Sequence, residues 1–251
     1  FFGESFLHKE FNEFLRIAKS AGLYVFLSTN GLLFNDSINQ SIIDNKLDFL
    51  IVSYDSADEE VYRQIRKGSL STLDEQLKKF LDKKGEQLPV TVLQVIDFAD
   101  RESQFEGVVE QYKDYDIKIA RRPAHDWLGD DPEISKNALD TSSGENEDCG
   151  VCDQPWRHAA ILWDGRVAPC CNFYDGQFVL GDLNLDSLSD IWNGDNIAKF
   201  REQHVNKTRE QIKECATCKQ KAPSLSEKVA LGLLDIATIN HYVSITDGWR
   251  D

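Results

Sequence analysis

Residues 11–31 read FNEFLRIAKSAGLYVFLSTNG, and this stretch decides the fold class. Phe11, Phe14, Leu15 and Ala18 recur at steps of one, three and four, which places them on one face of a helix from Phe11 to Ser20. Gly22 stops that helix. Leu23-Tyr-Val-Phe-Leu27 is then an unbroken apolar run of strand length, ending in the polar Ser28-Thr29-Asn30-Gly31. A strand this apolar is buried on both faces, as happens when helices cover a parallel sheet. Further along, Asn35 to Asn45 reads as a helix, and Leu47-Asp-Phe-Leu-Ile-Val52 as a strand delivering Ser53, Tyr54 and Asp55 at its C-terminal end. Glu59 to Arg66 and Thr72 to Lys83 read as helices, Pro89 to Ile96 as a strand and Gln104 to Tyr112 as a helix. Ile117 to Ala120 is a last short strand before Arg121-Arg122-Pro123. The alternation predicts an α/β fold with a parallel sheet, open or closed into a barrel, whose ligand-binding groups gather at the C-terminal ends of the strands. Gly3-Glu4-Ser5, Ser28-Thr29-Asn30, Ser53-Tyr54-Asp55 and His125-Asp126 all fall there. Any one cluster is accounted for by turn or cap chemistry; several in register favour a ligand site.

The composition sets the outer bounds. A chain of 251 residues, 41% hydrophobic and 28% charged, suffices for one α/β domain and a small appendage. Its net charge of −15 disfavours nucleic acid and anionic membrane surfaces, leaving a small molecule or a peptide as the expected substrate. No apolar run approaches the roughly 18 residues of a membrane span, and no secretory signal opens the chain, so a cytoplasmic location is expected. The chain starts abruptly at Phe1-Phe2-Gly3-Glu4 and contains no methionine, from which we expect that residues are missing from it.

Between residues 129 and 148 the composition turns to Gly, Asp, Ser, Asn and Glu, the mark of a linker or surface loop. We therefore divide the chain into 1–128, a linker 129–148, and 149–251. Beyond the linker, Ala159 to Trp163 and Arg166 to Ala168 flank an Asp164-Gly165 turn and predict a β-hairpin. Leu188 to Val205 reads as one helix despite Gly194. No internal repeat is present, and residues 225–251, with a helical stretch and Trp249, carry no functional signal.

All six cysteines follow residue 148: Cys149, Cys152, Cys170, Cys171, Cys215 and Cys218. Without an export signal, metal or redox chemistry is a better reading of them than disulfides. Cys149-x2-Cys152 with Cys215-x2-Cys218 would make a structural zinc site of four thiolates. Cys152, Cys170, Cys215 and Cys218 would instead hold an iron–sulfur cube. Their spacing alone leaves both open.

The surrounding residues carry a resemblance. Cys152-Asp-Gln-Pro155-Trp156, followed by Asp164-Gly165 and Pro169-Cys170-Cys171, resembles the start of the SPASM/Twitch extension of radical S-adenosylmethionine (SAM) enzymes. The likeness continues through Leu180-Gly181, Ile191-Trp192-Asn193, Phe200-Arg201 and Cys215-x2-Cys218. It implies an auxiliary [4Fe–4S] cluster on Cys152, Cys170, Cys215 and Cys218, in the shorter one-cluster form, with Cys149 and Cys171 outside the ligand set.

The same resemblance gives the strand ends roles and implies a partial (β/α)6 TIM-like barrel lacking its first strand, followed by the small cysteine-rich domain. Phe2-Gly3-Glu4-Ser5 resembles the Gly-Gly-Glu-Pro motif whose carboxylate accepts from the SAM ammonium, although Phe2 and Ser5 depart from it. Ser28, Thr29 and Asn30 resemble the segment lining the methionyl group, Ser53 the ribose contact, and Arg66 the arginine that reaches the SAM carboxylate. The C-x3-C-x2-C motif that holds the SAM-binding [4Fe–4S] cluster is absent from the sequence. Strand one and that loop are expected upstream, and the polypeptide as it stands is not expected to cleave SAM. The implied activity is hydrogen abstraction by a 5′-deoxyadenosyl radical, with oxidation of a small-molecule alcohol or sugar and a flavodoxin or ferredoxin as electron donor. Radical modification of a peptide, and a non-catalytic metal-stabilised binding protein, are the rivals. His125 and Asp126, past the last strand, are the candidates for proton removal.

Overall fold

The four apolar runs become four parallel strands because each is covered by amphipathic helices that return the chain to the same end of the sheet. The computed structural model describes residues 3–98, 102–124, 136, 152–216 and 218, and the chain divides into two compact units, one ending at Ala124 and the other beginning after it. The boundary expected at 129–148 lies, apart from Lys136, outside the described residues.

In the first unit a single 3-10 turn at Ser5–Leu7 precedes α1 (Phe11–Ser20), β1 (Phe26–Thr29), α2 (Asp36–Asp44) and β2 (Phe49–Ser53). Next come α3 (Glu59–Arg66), α4 (Leu70–Lys84), β3 (Val90–Asp97), α5 (Phe105–Tyr112) and β4 (Lys118–Pro123). Spatial order follows chain order, and every pairing is parallel. Phe49, Leu50, Ile51 and Val52 of β2 are all buried between neighbours on both sides, which explains why these four are apolar. Leu50 and Val52 share a core with Leu73, Leu77 and Phe80 of α4 and Val108 and Tyr112 of α5.

The helices begin where the sequence supplies caps. Asn35 accepts from Ile38 N at 3.0 Å, Asp58 from Glu60 N and Val61 N at 2.9 Å, and Ser69 from Thr72 N at 3.3 Å. The first strand starts later than its apolar run suggests. At Val25 the backbone N–H is taken by the Asp48 carboxylate at 2.7 Å, and Leu23 and Tyr24 are exposed, so regular pairing begins only at Phe26. The strand-like start at Phe1–Phe2 lies outside the described residues.

The second unit contains α6 (Gln154–Arg157), β5 (Ala160–Ile161), β6 (Arg166–Ala168), β7 (Gly181–Asp182), α7 (Leu188–Asn193), α8 (Asp195–Val205), a 3-10 turn at Arg209–Gln211 and α9 (Lys213–Ala216). Strands β5 and β6 form the expected hairpin, and β7 adds antiparallel to β6. Gly165, at φ +92°, turns the hairpin while Asp164 accepts from Arg166 Nε at 2.7 Å. The single helix read from Leu188 to Val205 is two. Gly194 is extended (φ −80°, ψ 175°), ending α7 and starting α8, and a Cβ there would stand 2.9 Å from the Asp190 carbonyl oxygen. Val167, Phe173, Leu180, Ile191, Ile197, Phe200 and Ile212 close this unit's own core. Among the described residues no helix is long and apolar enough to cross a membrane.

Candidate functional site

Each cysteine of interest is set by a short element docked on the second core. Cys152 lies two residues ahead of α6. Cys170 and Cys171 follow β6, whose Val167 and Ala168 are fully buried. Cys215 is within α9, tied by its N–H to the carbonyl of buried Ile212 at 2.9 Å, and Cys218 N reaches back to Cys215 O at 3.4 Å. The C-x2-C spacing thus presents two sulfurs from one turn.

Cys152, Cys170, Cys215 and Cys218 line one cavity of about 430 Å³, its mouth to solvent included, together with Pro155, Phe173 and Phe200. These are the four sulfurs expected from the sequence. Among the described residues no three His, Cys, Asp or Glu side chains are gathered on one ion-sized point. A [4Fe–4S] cube takes one thiolate at each of four irons, so four thiols around one cavity suit it. The zinc alternative draws on Cys149, which lies outside the described residues.

Burial favours the thiol form at Cys152 and Cys215. Burial, then the neighbouring Cys218 and Cys152, push the Cys215 thiol up to about 12. Burial also pushes Cys152 up, and Cys170 is raised by its hydrogen bond with Cys171 and then by burial. Such a set becomes thiolate when a cationic metal group replaces the protons, which is how metal binding couples to folding. The donor chemistry and the cavity therefore fit an iron–sulfur cluster.

Three polar residues around the cavity carry no spacing signal in the sequence. His204 is buried, with Nδ1 donating to Phe200 O at 2.8 Å; Nε2 then accepts, and Cys215 Sγ stands 3.8 Å from it. Burial lowers the His204 pKa and keeps the ring neutral. Arg209 adds a positive charge to the cavity lining, favouring thiolate at Cys152 and Cys215. Asn172 Nδ2 donates to Cys218 Sγ at 3.1 Å.

In the first unit the strand ends bring several expected residues together. Glu4 Oε1 accepts from Thr29 Oγ1 at 2.9 Å and from Phe6 N at 3.3 Å, and Oε2 accepts from Asn30 N at 2.8 Å. Gly3, exposed at φ +111°, leads into that carboxylate. Gly31, at φ +75°, makes the turn behind Asn30, where a Cβ would fall 2.4 Å from Leu73 Cδ1. Ser28 is exposed on β1, and Ser53 ends β2 opposite Gln94. Arg66 is held by Asp55, a fully buried carboxylate at φ +62°, through Nε to Oδ2 at 2.5 Å; Asp55 Oδ1 accepts from Ile96 N at 3.0 Å. Tyr54 points the other way, into a buried network in which it and Tyr112 donate to Asp74. His125 and Asp126 lie outside the described residues.

Residues 152–219 match the SPASM family, described as an iron–sulfur cluster-binding domain. No curated protein matches the chain. Among solved structures, Streptococcus suis SuiB is 14% identical, covering 80% of this chain and 56% of its own, with a TM-score of 0.59. SuiB bound to precursor peptide SuiA is 14% identical, with 79% and 54% covered and a TM-score of 0.56. BtrN in complex with AdoMet and 2-DOIA is 18% identical over 88% and 70%, with a TM-score of 0.49. The chain thus spans little more than half of SuiB. The SPASM resemblance is borne out over residues 152–219, and the likeness to SuiB bears out the α/β fold with its parallel sheet.

Proposed function

We propose that this chain, a radical SAM fold joined to a SPASM cluster-binding domain, is the greater part of an enzyme that oxidises a small-molecule alcohol or sugar by hydrogen abstraction. The observation that carries the reading is that the four family-matched cysteines, spread from residue 152 to residue 218 of the sequence, line one cavity. SAM, its own [4Fe–4S] cluster and the auxiliary [4Fe–4S] cluster supply the radical and electron-transfer chemistry when bound.

The chain's own residues bind and orient. Cys152, Cys170, Cys215 and Cys218 hold the auxiliary cluster. Glu4, its carboxylate aimed by Thr29 and Asn30, receives the SAM ammonium in a charge-assisted hydrogen bond. Arg66, fixed at Nε by Asp55, offers its terminal nitrogens to the SAM carboxylate. Ser28 lines the methionyl side and Ser53 the ribose. His125 or Asp126 takes the substrate proton, and a flavodoxin or ferredoxin delivers electrons.

Anaerobic reconstitution with iron, sulfide and zinc analysis tests the cluster: about four irons per auxiliary site are expected. Stoichiometric zinc without sulfide refutes it. Incubating the full-length reduced protein with SAM and candidate alcohols, and measuring 5′-deoxyadenosine, tests the activity. Peptide modification is the second reading, favoured by the similarity to a structure solved with a precursor peptide. Turnover with peptides but not with alcohols or sugars would select it.

A further inference from the structure

Asn172 is 3% exposed, and a primary amide so buried needs partners for both its ends. Both partners are sulfur. Nδ2 donates to Cys218 Sγ at 3.1 Å, and Oδ1 accepts from Cys171 Sγ at 3.8 Å. With Cys218 ligated as a thiolate the amide is oriented by its surroundings, since rotating it by 180° would turn the carbonyl oxygen onto a sulfur that can only accept. The backbone holds it there: Phe173 N reaches Cys170 O at 3.3 Å, and the Phe173 ring is fully buried beside Phe200, at 5.7 Å between centroids. Asn172 also lines the cavity of the four cysteines, whereas Cys171 does not.

We propose that Asn172 is a positioning residue of the auxiliary cluster, whose N–H···S bond to the Cys218 ligand raises the cluster's reduction potential, and that Cys171 orients the amide that makes this bond. This rests on the cluster reading above. Ligated Cys218 is a thiolate, so the bond is charge-assisted. Reduction adds one electron to the cluster, and the extra negative charge on its sulfurs strengthens an N–H donor's attraction. The donor stabilises the reduced state more than the oxidised one, and hydrogen bonds to the sulfurs are among the levers that set such potentials. Cys171, outside the ligand set, bonds both Cys170 and the Asn172 oxygen.

The test is a redox titration followed by electron paramagnetic resonance on the reconstituted 251-residue chain, with iron and sulfide counted in each sample. Asn172→Leu keeps the branched heavy-atom framework and removes the donor. It should retain the wild-type iron content while its equilibrium constant for reduction falls about tenfold, equal to about 59 mV for one electron. Cys171→Ala should shift the potential the same way by a few-fold in that constant, and Cys171→Ser, which restores a donor to Oδ1, should return it towards wild type. Unchanged potentials in Asn172→Leu and Cys171→Ala at full iron content overturn the proposal while leaving the cluster intact. If Asn172→Leu fails to assemble, the two Cys171 variants decide: equal potentials in both overturn it, and separation in the stated order supports it. Loss of iron in Cys171→Ala makes Cys171 a ligand and overturns its orienting role. A wild-type chain that binds no iron and sulfide overturns the cluster reading itself.

Discussion

Replacing Arg66 by Leu tests the best-defined electrostatic contact of the first unit. Asp55 is wholly buried, and its carboxylate faces only Arg66 Nε at 2.5 Å and Ile96 N at 3.0 Å among the described residues. Arg66 itself is 28% exposed at the side chain, so the pair is poorly screened. Removing the arginine strands a buried carboxylate, for which about 3–5 kcal/mol of destabilisation is expected. The penalty depends on pH in a definite direction. Burial already pushes the Asp55 carboxyl above its ordinary value against the pull of Arg66, and losing Arg66 pushes it higher. A carboxyl raised in the folded state binds more protons folded than unfolded, so its stability contribution is present at low pH and lost as pH rises through the folded value. The gap between Arg66→Leu and wild type should thus widen as pH rises above the ordinary carboxyl range, by at most about 1.4 kcal/mol per unit. Asp55→Asn in the Arg66→Leu background should recover about 2 kcal/mol or more at pH 8, because no buried charge remains. Urea unfolding of the four proteins measures this. Arg63→Leu is the control, since Arg63 makes only exposed pairs with Glu59 and Glu60, a kind worth under about 1 kcal/mol. An Arg66→Leu penalty no larger than that of Arg63→Leu, or one independent of pH, refutes the reasoning.

Serine at Cys152, Cys170, Cys215 or Cys218 should each cut the iron retained after desalting well below wild type, whereas Cys149→Ser should leave it unchanged; colorimetric iron and sulfide assays decide. Phe200→Ala should destabilise the second unit by about 3–5 kcal/mol, since this 2%-exposed ring packs 5.0 Å from Phe178 and 5.7 Å from Phe173, and a Tm drop confined to a surface-mutation scale contradicts it. Gly31→Ala should lower stability by about 2–4 kcal/mol, combining a positive φ with a Cβ placed on Leu73; thermal unfolding indistinguishable from wild type refutes that geometry.

The parallel α/β unit was legible because β2 is apolar from Phe49 to Val52 for a physical reason: it is covered on both faces and paired on both edges. The start of β1 was not, because Asp48 captures the Val25 N–H through a side chain 23 residues away in sequence, which no local pattern reveals. The break at Gly194 was underweighted for a related reason. Propensity tolerates one glycine in a helix, but here the departure is set by where α7 ends and α8 must pack Ile197 and Phe200. At the cysteines the sequence motif named four sulfurs that the fold gathers around one cavity, whereas Asn172, His204 and Arg209 meet them only through tertiary packing. Tyr54 belonged by position to a strand-end cluster, yet past the end of β2 it donates to Asp74, while Asp55, at φ +62°, turns to Arg66.

The Glu4 carboxylate has a consequence for molecular recognition. An ionised carboxylate offers about four lone-pair positions. Three are engaged by Thr29 Oγ1, Phe6 N and Asn30 N, so among the described residues about one direction is left for an incoming donor. A vacancy of that size favours a compact ammonium, which donates along a single line, over a guanidinium, whose planar fork seeks two oxygens at once. Selectivity among cations would then follow from coordination capacity, set before any ligand arrives.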